Sequence, residues 1–217
     1  GQPECKISSA KAKPWKRLLK ERQNYAVILG RFFLDPIWWM FVTWLPIYLI
    51  EVFDLDIKQI AMSAWVPYVG AALGSVAGGW FSGMLIKRGR SVGYARKCAM
   101  VVGACLIVPG MILAAMAKTP TMAVIMMAFI LGGYQFVMTN IQTLASDLQT
   151  GKSVGSLAGL GGAAAVLGTI IMIFLVPSIT SGGNWVPFFI LGAALVPLSL
   201  ISVFLLGGKI EQTEPMK

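Results

Sequence analysis

The stretch CAMVVGACLIVPGMILAAMA (residues 98–117) runs for twenty residues without a charged side chain. That length matches the ~20 apolar residues a helix needs to cross a hydrocarbon core. Similar apolar stretches run over about 25–50, 60–86, 121–143, 154–178 and 185–207. The pattern predicts an all-α, polytopic membrane bundle of six transmembrane helices. Strands do not fit these lengths, and an open sheet would leave backbone groups unpaired in lipid. The first two stretches are longer than a span requires, which predicts tilt or a break at Pro36 or Pro46.

Composition agrees. The chain is 57% hydrophobic and 12% charged, with a mean hydropathy of +0.75, outside the profile of a soluble domain. Its 217 residues include no His, which removes the commonest general base and metal ligand. Cys5, Cys98 and Cys105 form no metal or redox spacing, and the latter two lie in an apolar span as packing residues. The W-F-S-G sequence around Ser82 lacks the glycine expected two residues before a membrane-protease serine, and no HExxH is present. The expectation is therefore no catalytic group, no metal, no cofactor and no enzyme activity. A channel or a structural membrane scaffold fits such a composition, although no short re-entrant segment for a filter is visible.

Charge placement predicts orientation. With residue 1 inside, fifteen Lys and Arg are cytoplasmic: seven within 1–22, then Lys87, Arg88, Arg90, Arg96 and Lys97, then Lys152, Lys209 and Lys217. The outer loops hold two, Lys58 and Lys118. This positive-inside asymmetry puts both termini in the cytoplasm. The net charge of +9 then reflects topology and calls for no nucleic-acid partner. The chain divides into a basic cytoplasmic segment (1–22), a six-helix transmembrane domain (23–208) and a cytoplasmic tail (209–217). The first segment does not read as a signal peptide, because its basic region is long and the following stretch spans fully.

The spans fall into two trios of like character. Spans one and four are polar and aromatic, spans two and five are rich in small residues, and spans three and six are almost wholly apolar, as in an inverted three-plus-three repeat. Span one carries Asp35 ~10 residues in, about 15 Å deep. A charge at that depth costs at least ~2.5–3.5 kcal/mol and calls for a partner or a wet cavity. Arg31 lies four residues earlier on the same face, and Trp38 and Trp39 continue that face. Span four carries Tyr134, Asn140 and a polar stripe of Gln135, Thr139 and Gln142. Asp35 is the one acidic residue deep in a span, and so the local candidate for carrying a coupling proton.

Three segments, GRFFLDPIWWMFVTWLPIYL (30–49), SGMLIKRGRSVGYARK (82–97) and VGSLAGLGG (154–162), resemble the major facilitator superfamily, and within it the anion:cation symporter branch of hexuronate and related sugar-acid transporters. The resemblance implies the C-terminal half, spans seven to twelve, of a twelve-helix transporter in the cytoplasmic (inner) membrane, with residues 1–22 ending its central loop. A chain without Met at position 1 is expected to be part of a longer one. The N-terminal six-helix half would be the missing partner, and a small organic anion would be carried between the halves with a proton or cation. Asp35, Trp38, Trp39 and Gln135, with Tyr134 and Asn140, would form this half's share of the substrate site, with Arg31 and Asp35 as a charge pair. Gln135 would bond substrate hydroxyls. Gly70, Gly74, Gly78, Gly159 and Gly162 would either line the moving interface with the other half or, glycine by glycine, serve tight packing within this half, while spans three and six face lipid. Lys87, Arg88, Gly89, Arg96 and Lys97 would form the cytoplasmic loop motif. Gly83 stands where that motif often has Asp, so its acidic anchor is expected to be missing.

Overall fold

The computed structural model describes residues 13–208. The predicted tail at 209–217 and the first twelve residues of the basic segment lie outside the described residues. Eight helices follow in order: α1 (Trp15–Leu18), α2 (Asn24–Phe53), α3 (Ile57–Ser63), α4 (Trp65–Lys87), α5 (Val92–Ala115), α6 (Pro120–Leu148), α7 (Ser153–Thr180) and α8 (Val186–Gly207). Counting α3 and α4 as one interrupted span, six are long and apolar enough to cross a membrane.

The break falls where the sequence did not place it. The first span continues through Pro36 and Pro46, because bundled neighbours can re-satisfy the backbone groups a proline frees. The second span is interrupted at Ala64 instead. Pro67 has no N–H to give the Ser63 carbonyl, and its ring crowds it. Outside the break, α3 begins with a reciprocal cap: Gln59 N donates to Asp56 Oδ1 at 2.7 Å, and Asp56 N to Gln59 Oε1 at 2.9 Å. The connection expected over 87–97 is also shorter than the sequence implied. Gly89 turns the chain at φ +80°, and Ser91 caps α5 by accepting from Tyr94 N. Arg96 and Lys97 therefore sit on α5. Its 24 residues reach about 36 Å, so the first turns stand outside a ~30 Å core.

Packing obeys an internal exchange of the two trios. α6, the fourth span, packs most extensively on α4 and α5, and α2, the first span, packs on α7 and α8. Swapping first with fourth, second with fifth and third with sixth maps one set onto the other, as an inverted repeat requires. The remaining large contacts, α5 with α8 and α2 with α6, are those the exchange maps onto themselves.

Glycine rows set these distances. A Cβ on Gly70 or Gly74 would run into the backbone at Ala128 or Gly132, and one on Gly78 would stand 2.6 Å from the Phe136 carbonyl. Gly168 of α7 meets the Phe32 carbonyl of α2 in the corresponding way. Gly70, Gly74 and Gly78 thus serve packing inside this domain, not the moving interface. The surfaces still open differ between the helices: a Cβ on Gly159 would meet nothing within 4 Å, and one on Gly162 only Arg31.

The ends of the bundle are tied by polar joints. At the end where α2 stops and α8 starts, Trp185 Nε1 donates to Glu51 at 3.0 Å, amid the rings of Tyr48, Phe188 and Phe189. At the other end, Lys13 Nζ meets Glu21 at 2.8 Å, Gln149 donates to Glu21 at 2.6 Å, and Asn24 donates to it at 3.1 Å. Lys13 N also donates to Ser153 Oγ at 3.0 Å. The segment before α2 is thereby fastened to the α6–α7 turn. Burial by itself would raise the Glu21 carboxyl, but the Lys13 and Gln149 hydrogen bonds, the Lys13 charge and Asn24 outweigh it and hold it below its ordinary 4.5.

Two expectations follow. Gly74→Leu, which forces a side chain into the α6 backbone, should cost about 1–3 kcal/mol in thermal unfolding of the purified protein, whereas Gly159→Ala should leave stability unchanged. Because the Glu21 carboxyl is depressed in the folded state, its contribution is complete above the ordinary value and is lost as pH falls through the folded one. Stability should therefore decline below about pH 5, and Glu21→Gln should flatten that decline.

Candidate functional site

Midway along the bundle, four of the residues singled out from sequence come together. Asp35 is the twelfth residue of α2 and Tyr134 the fifteenth of α6, so both stand far from either helix end. Tyr134 Oη donates to Asp35 Oδ1 at 2.7 Å. Arg31 donates from Nε to Oδ2 at 3.1 Å, and its terminal nitrogen lies 3.0 Å from the same oxygen. Both carboxylate oxygens are thus occupied, one from the same helix at four residues' spacing and one from the opposite trio. Arg31 also reaches the Ala158 carbonyl of α7 at 3.4 Å, which draws a third helix into the cluster.

Aromatic rings wall this ion pair. Trp38 lies 5.6 Å from the Tyr134 ring at 30°, and 5.9 Å from the Tyr68 ring of α4 in an edge contact, separations typical of favourable pairs. Tyr68 was not foreseen, since it sits near the start of an otherwise small-residue helix. Trp39, the next residue, turns away from Trp38 and is half exposed, with no ring partner among the described residues. Gln135 is half-buried, and its side chain makes no hydrogen bond among the described residues. Thr139 donates to the Gln135 carbonyl at 2.8 Å and shares a 3.2 Å contact with Ser75 of α4. Gln142 is exposed at the end of the stripe.

The helices that hold the paired carboxylate also carry a set of uncommitted groups. The indole N–H of Trp38 and Trp39, the Tyr68 hydroxyl and the Gln135 amide make no hydrogen bond among the described residues, and Arg31 retains N–H groups. Donors and ring faces dominate this set, with Asp35 already satisfied. Such an arrangement suits a ligand that brings its own negative charge and hydroxyl acceptors.

Asn140 and the basic motif belong to a second network, toward the α4–α5 turn. Asn140 is fully buried; its amide donates to the Phe136 carbonyl at 2.9 Å and the Gly78 carbonyl at 3.2 Å. Arg96 donates to Asp147 at 2.8 Å, to Ser82 Oγ at 3.0 Å and to Asn140 Oδ1 at 3.4 Å. One guanidinium therefore joins α4, α5 and α6. Gly83 leaves no local acid, as the sequence indicated, but Asp147 supplies the carboxylate from the end of α6, a partner 51 residues away that spacing could not reveal. Lys87, Arg88 and Gly89 are exposed at the turn. Lys97 donates to the Gly208 carbonyl at 3.0 Å. Among the described residues no cluster of acids and cysteines could hold a metal ion.

Comparison with known proteins agrees with this architecture. The family model of the Major Facilitator Superfamily matches residues 3–164. The hexuronate transporter of Escherichia coli (strain K12) is 29% identical over 192 residues, an alignment covering 87% of this chain and 44% of that protein. The probable galactarate/D-glucarate transporter of the same strain is 32% identical over 170 residues, 76% of this chain and 38% of that protein. A D-galactonate transporter of Escherichia coli is 28% identical over 202 residues, 93% and 46% respectively. The chain spans less than half the length of these relatives.

The Asp35–Tyr134 bond gives a direct expectation. Tyr134→Phe keeps the ring against Trp38 but leaves one carboxylate oxygen unpaired. It should lower thermal stability by about 1–2 kcal/mol, and the further change Asp35→Asn should alter stability non-additively in a double-mutant cycle.

Proposed function

The chain belongs to the Major Facilitator Superfamily, and from that premise we propose that it is the second six-helix half of a secondary transporter for a sugar acid such as a hexuronate. In this reading residues 23–208 form the C-domain, 1–22 end the central cytoplasmic loop, and 209–217 are a cytoplasmic tail. The protein is a multi-pass membrane protein, which we assign to the inner membrane with both termini cytoplasmic. A missing N-terminal half completes the substrate site, and the two halves rock around it.

The observation that carries the reading is the set of open donors and rings on the helices that hold a carboxylate already paired. A sugar acid presents a carboxylate and several hydroxyls on a compact carbon skeleton. Arg31 would face the carboxylate, with Asp35 and Tyr134 fixing the guanidinium through their shared bonds. Gln135 would bond hydroxyls, while Trp38 and Trp39 would cover the apolar face of the skeleton. Asn140, engaged with Arg96 and two backbone carbonyls, would act at a distance by holding α4 and α6 in register. The relatives named for hexuronate, galactarate and galactonate support the same substrate class.

Coupling follows from the same pair. When an anionic substrate competes for Arg31, Asp35 loses a partner in a medium that penalises an isolated charge. Taking up a proton, or a cation beside it, would relieve that penalty and link substrate binding to ion movement.

Uptake of labelled glucuronate, galactarate and galactonate by cells expressing the full-length transporter tests the proposal. Asp35→Asn and Gln135→Ala are each expected to lower kcat/KM at least about tenfold, ~1.4 kcal/mol, and an uncoupler should abolish accumulation. Wild-type cells that take up none of the three acids, or variants with unchanged kinetics, would refute it.

A further inference from the structure

A groove between α5 and α8 takes no part in the transport chemistry above. Val101 of α5 and Pro197, Leu200, Ile201, Phe204 and Leu205 of α8 line it, and it holds about 400 Å³. Every lining side chain is apolar, and Ile201 and Leu205 stand open on its rim. The groove runs to the last turn of α8, where two cations meet it. Lys97, one turn before Val101 on α5, places Nζ 5.4 Å from the centre of the Phe204 ring. Arg22, from the segment leading into α2, donates to the Leu205 carbonyl at 3.2 Å.

Neither cation is consumed there by the described residues. Among them Lys97 gives one hydrogen bond, to the Gly208 carbonyl, and Arg22 gives one, which leaves two N–H groups of the ammonium and four of the guanidinium. The ion pairs among the described residues are Lys13–Glu21, Arg31–Asp35 and Arg96–Asp147, and none engages Lys97 or Arg22. An apolar trough at membrane depth, closed at its interfacial end by two cations without an acidic partner among the described residues, matches a molecule with a hydrocarbon tail and an anionic head.

We infer that the α5–α8 groove is a binding site for an anionic phospholipid of the cytoplasmic leaflet, with an acyl chain along Val101, Ile201 and Phe204 and the phosphate on Lys97 and Arg22. The headgroup then joins the ends of α2, α5 and α8, whose carbonyls at Leu205 and Gly208 the same two cations already cap. Charge complementarity selects this occupant. A zwitterionic lipid would bring a cation of its own to the pair, and a helix of another protein would leave Lys97 and Arg22 unanswered. The site stands apart from substrate recognition and does not depend on the sugar-acid reading.

Native mass spectrometry of the full-length purified protein, titrated with dioleoyl-phosphatidylglycerol and separately with dioleoyl-phosphatidylcholine, tests it. Phosphatidylglycerol should bind more tightly than phosphatidylcholine. Lys97→Gln and Arg22→Gln should each weaken phosphatidylglycerol about five-fold and together about 25-fold, with little effect on phosphatidylcholine. Because these substitutions also remove caps from α8, Ile201→Trp is the companion variant. It fills the groove with both caps in place and should weaken phosphatidylglycerol at least about tenfold. Equal affinity of the wild type for the two lipids, or unchanged phosphatidylglycerol binding in Ile201→Trp, would overturn the site. So would a second copy of the chain at this face, seen as a dimer that Ile201→Trp disperses.

Discussion

A carboxylate at mid-membrane has to be paired, and the centre of this structure is arranged around that requirement. Asp35 receives Arg31 on one oxygen and Tyr134 on the other. The first partner comes from its own helix and the second from the helix that the internal repeat makes its counterpart. The bond therefore joins the two trios at the place where α2 meets α6. Trp38 stacks on the same tyrosine and touches Tyr68, so the second span is drawn to the centre as well. With no hydrophobic force between helices in lipid, such hydrogen bonds and close backbone contacts carry the association. The glycines of α4 bring that helix against α6, and Gly168 brings α7 against α2.

Above and below that centre, polar groups are spent on architecture. Glu51 and Trp185 tie α2 to the start of α8 at one end. At the opposite end Arg96 gathers Ser82, Asn140 and Asp147, while Glu21 gathers Lys13, Asn24 and Gln149. The contrast with mid-depth is informative. There the amide of Gln135 and the indoles of Trp38 and Trp39 are left without partners among the described residues, although unpaired polar groups are costliest at that depth. An arrangement of this kind is stable only where water or a ligand reaches the groups.

Several of these features were legible along the chain because they depend on local spacing. The Arg31–Asp35 pair is a four-residue repeat on one helix, and the lengths of the apolar stretches and the Lys and Arg asymmetry are counts. Other features were misplaced or left open for equally physical reasons. Gly70, Gly74 and Gly78 look the same in sequence whether they face α6 or another domain, and the structure turns them inward while leaving Gly159 open. Pro36 and Pro46 look as able to break a helix as Pro67, yet only the second span is interrupted, because the neighbours around a proline decide whether the freed carbonyl is tolerated.

The sequence by itself therefore determined that the chain forms six apolar helices and that a buried ion pair lies in the first. Solvent and local geometry act residue by residue on both. Only the tertiary structure decided that Tyr134, 99 residues from Asp35, completes the carboxylate's shell, that Asp147 replaces the acid absent at Gly83, and that Lys97 and Arg22 converge on the end of α8. Those contacts depend on how far each helix is rotated and shifted against its neighbour. Close packing of whole helix faces sets that quantity, and no periodicity within a single helix records it.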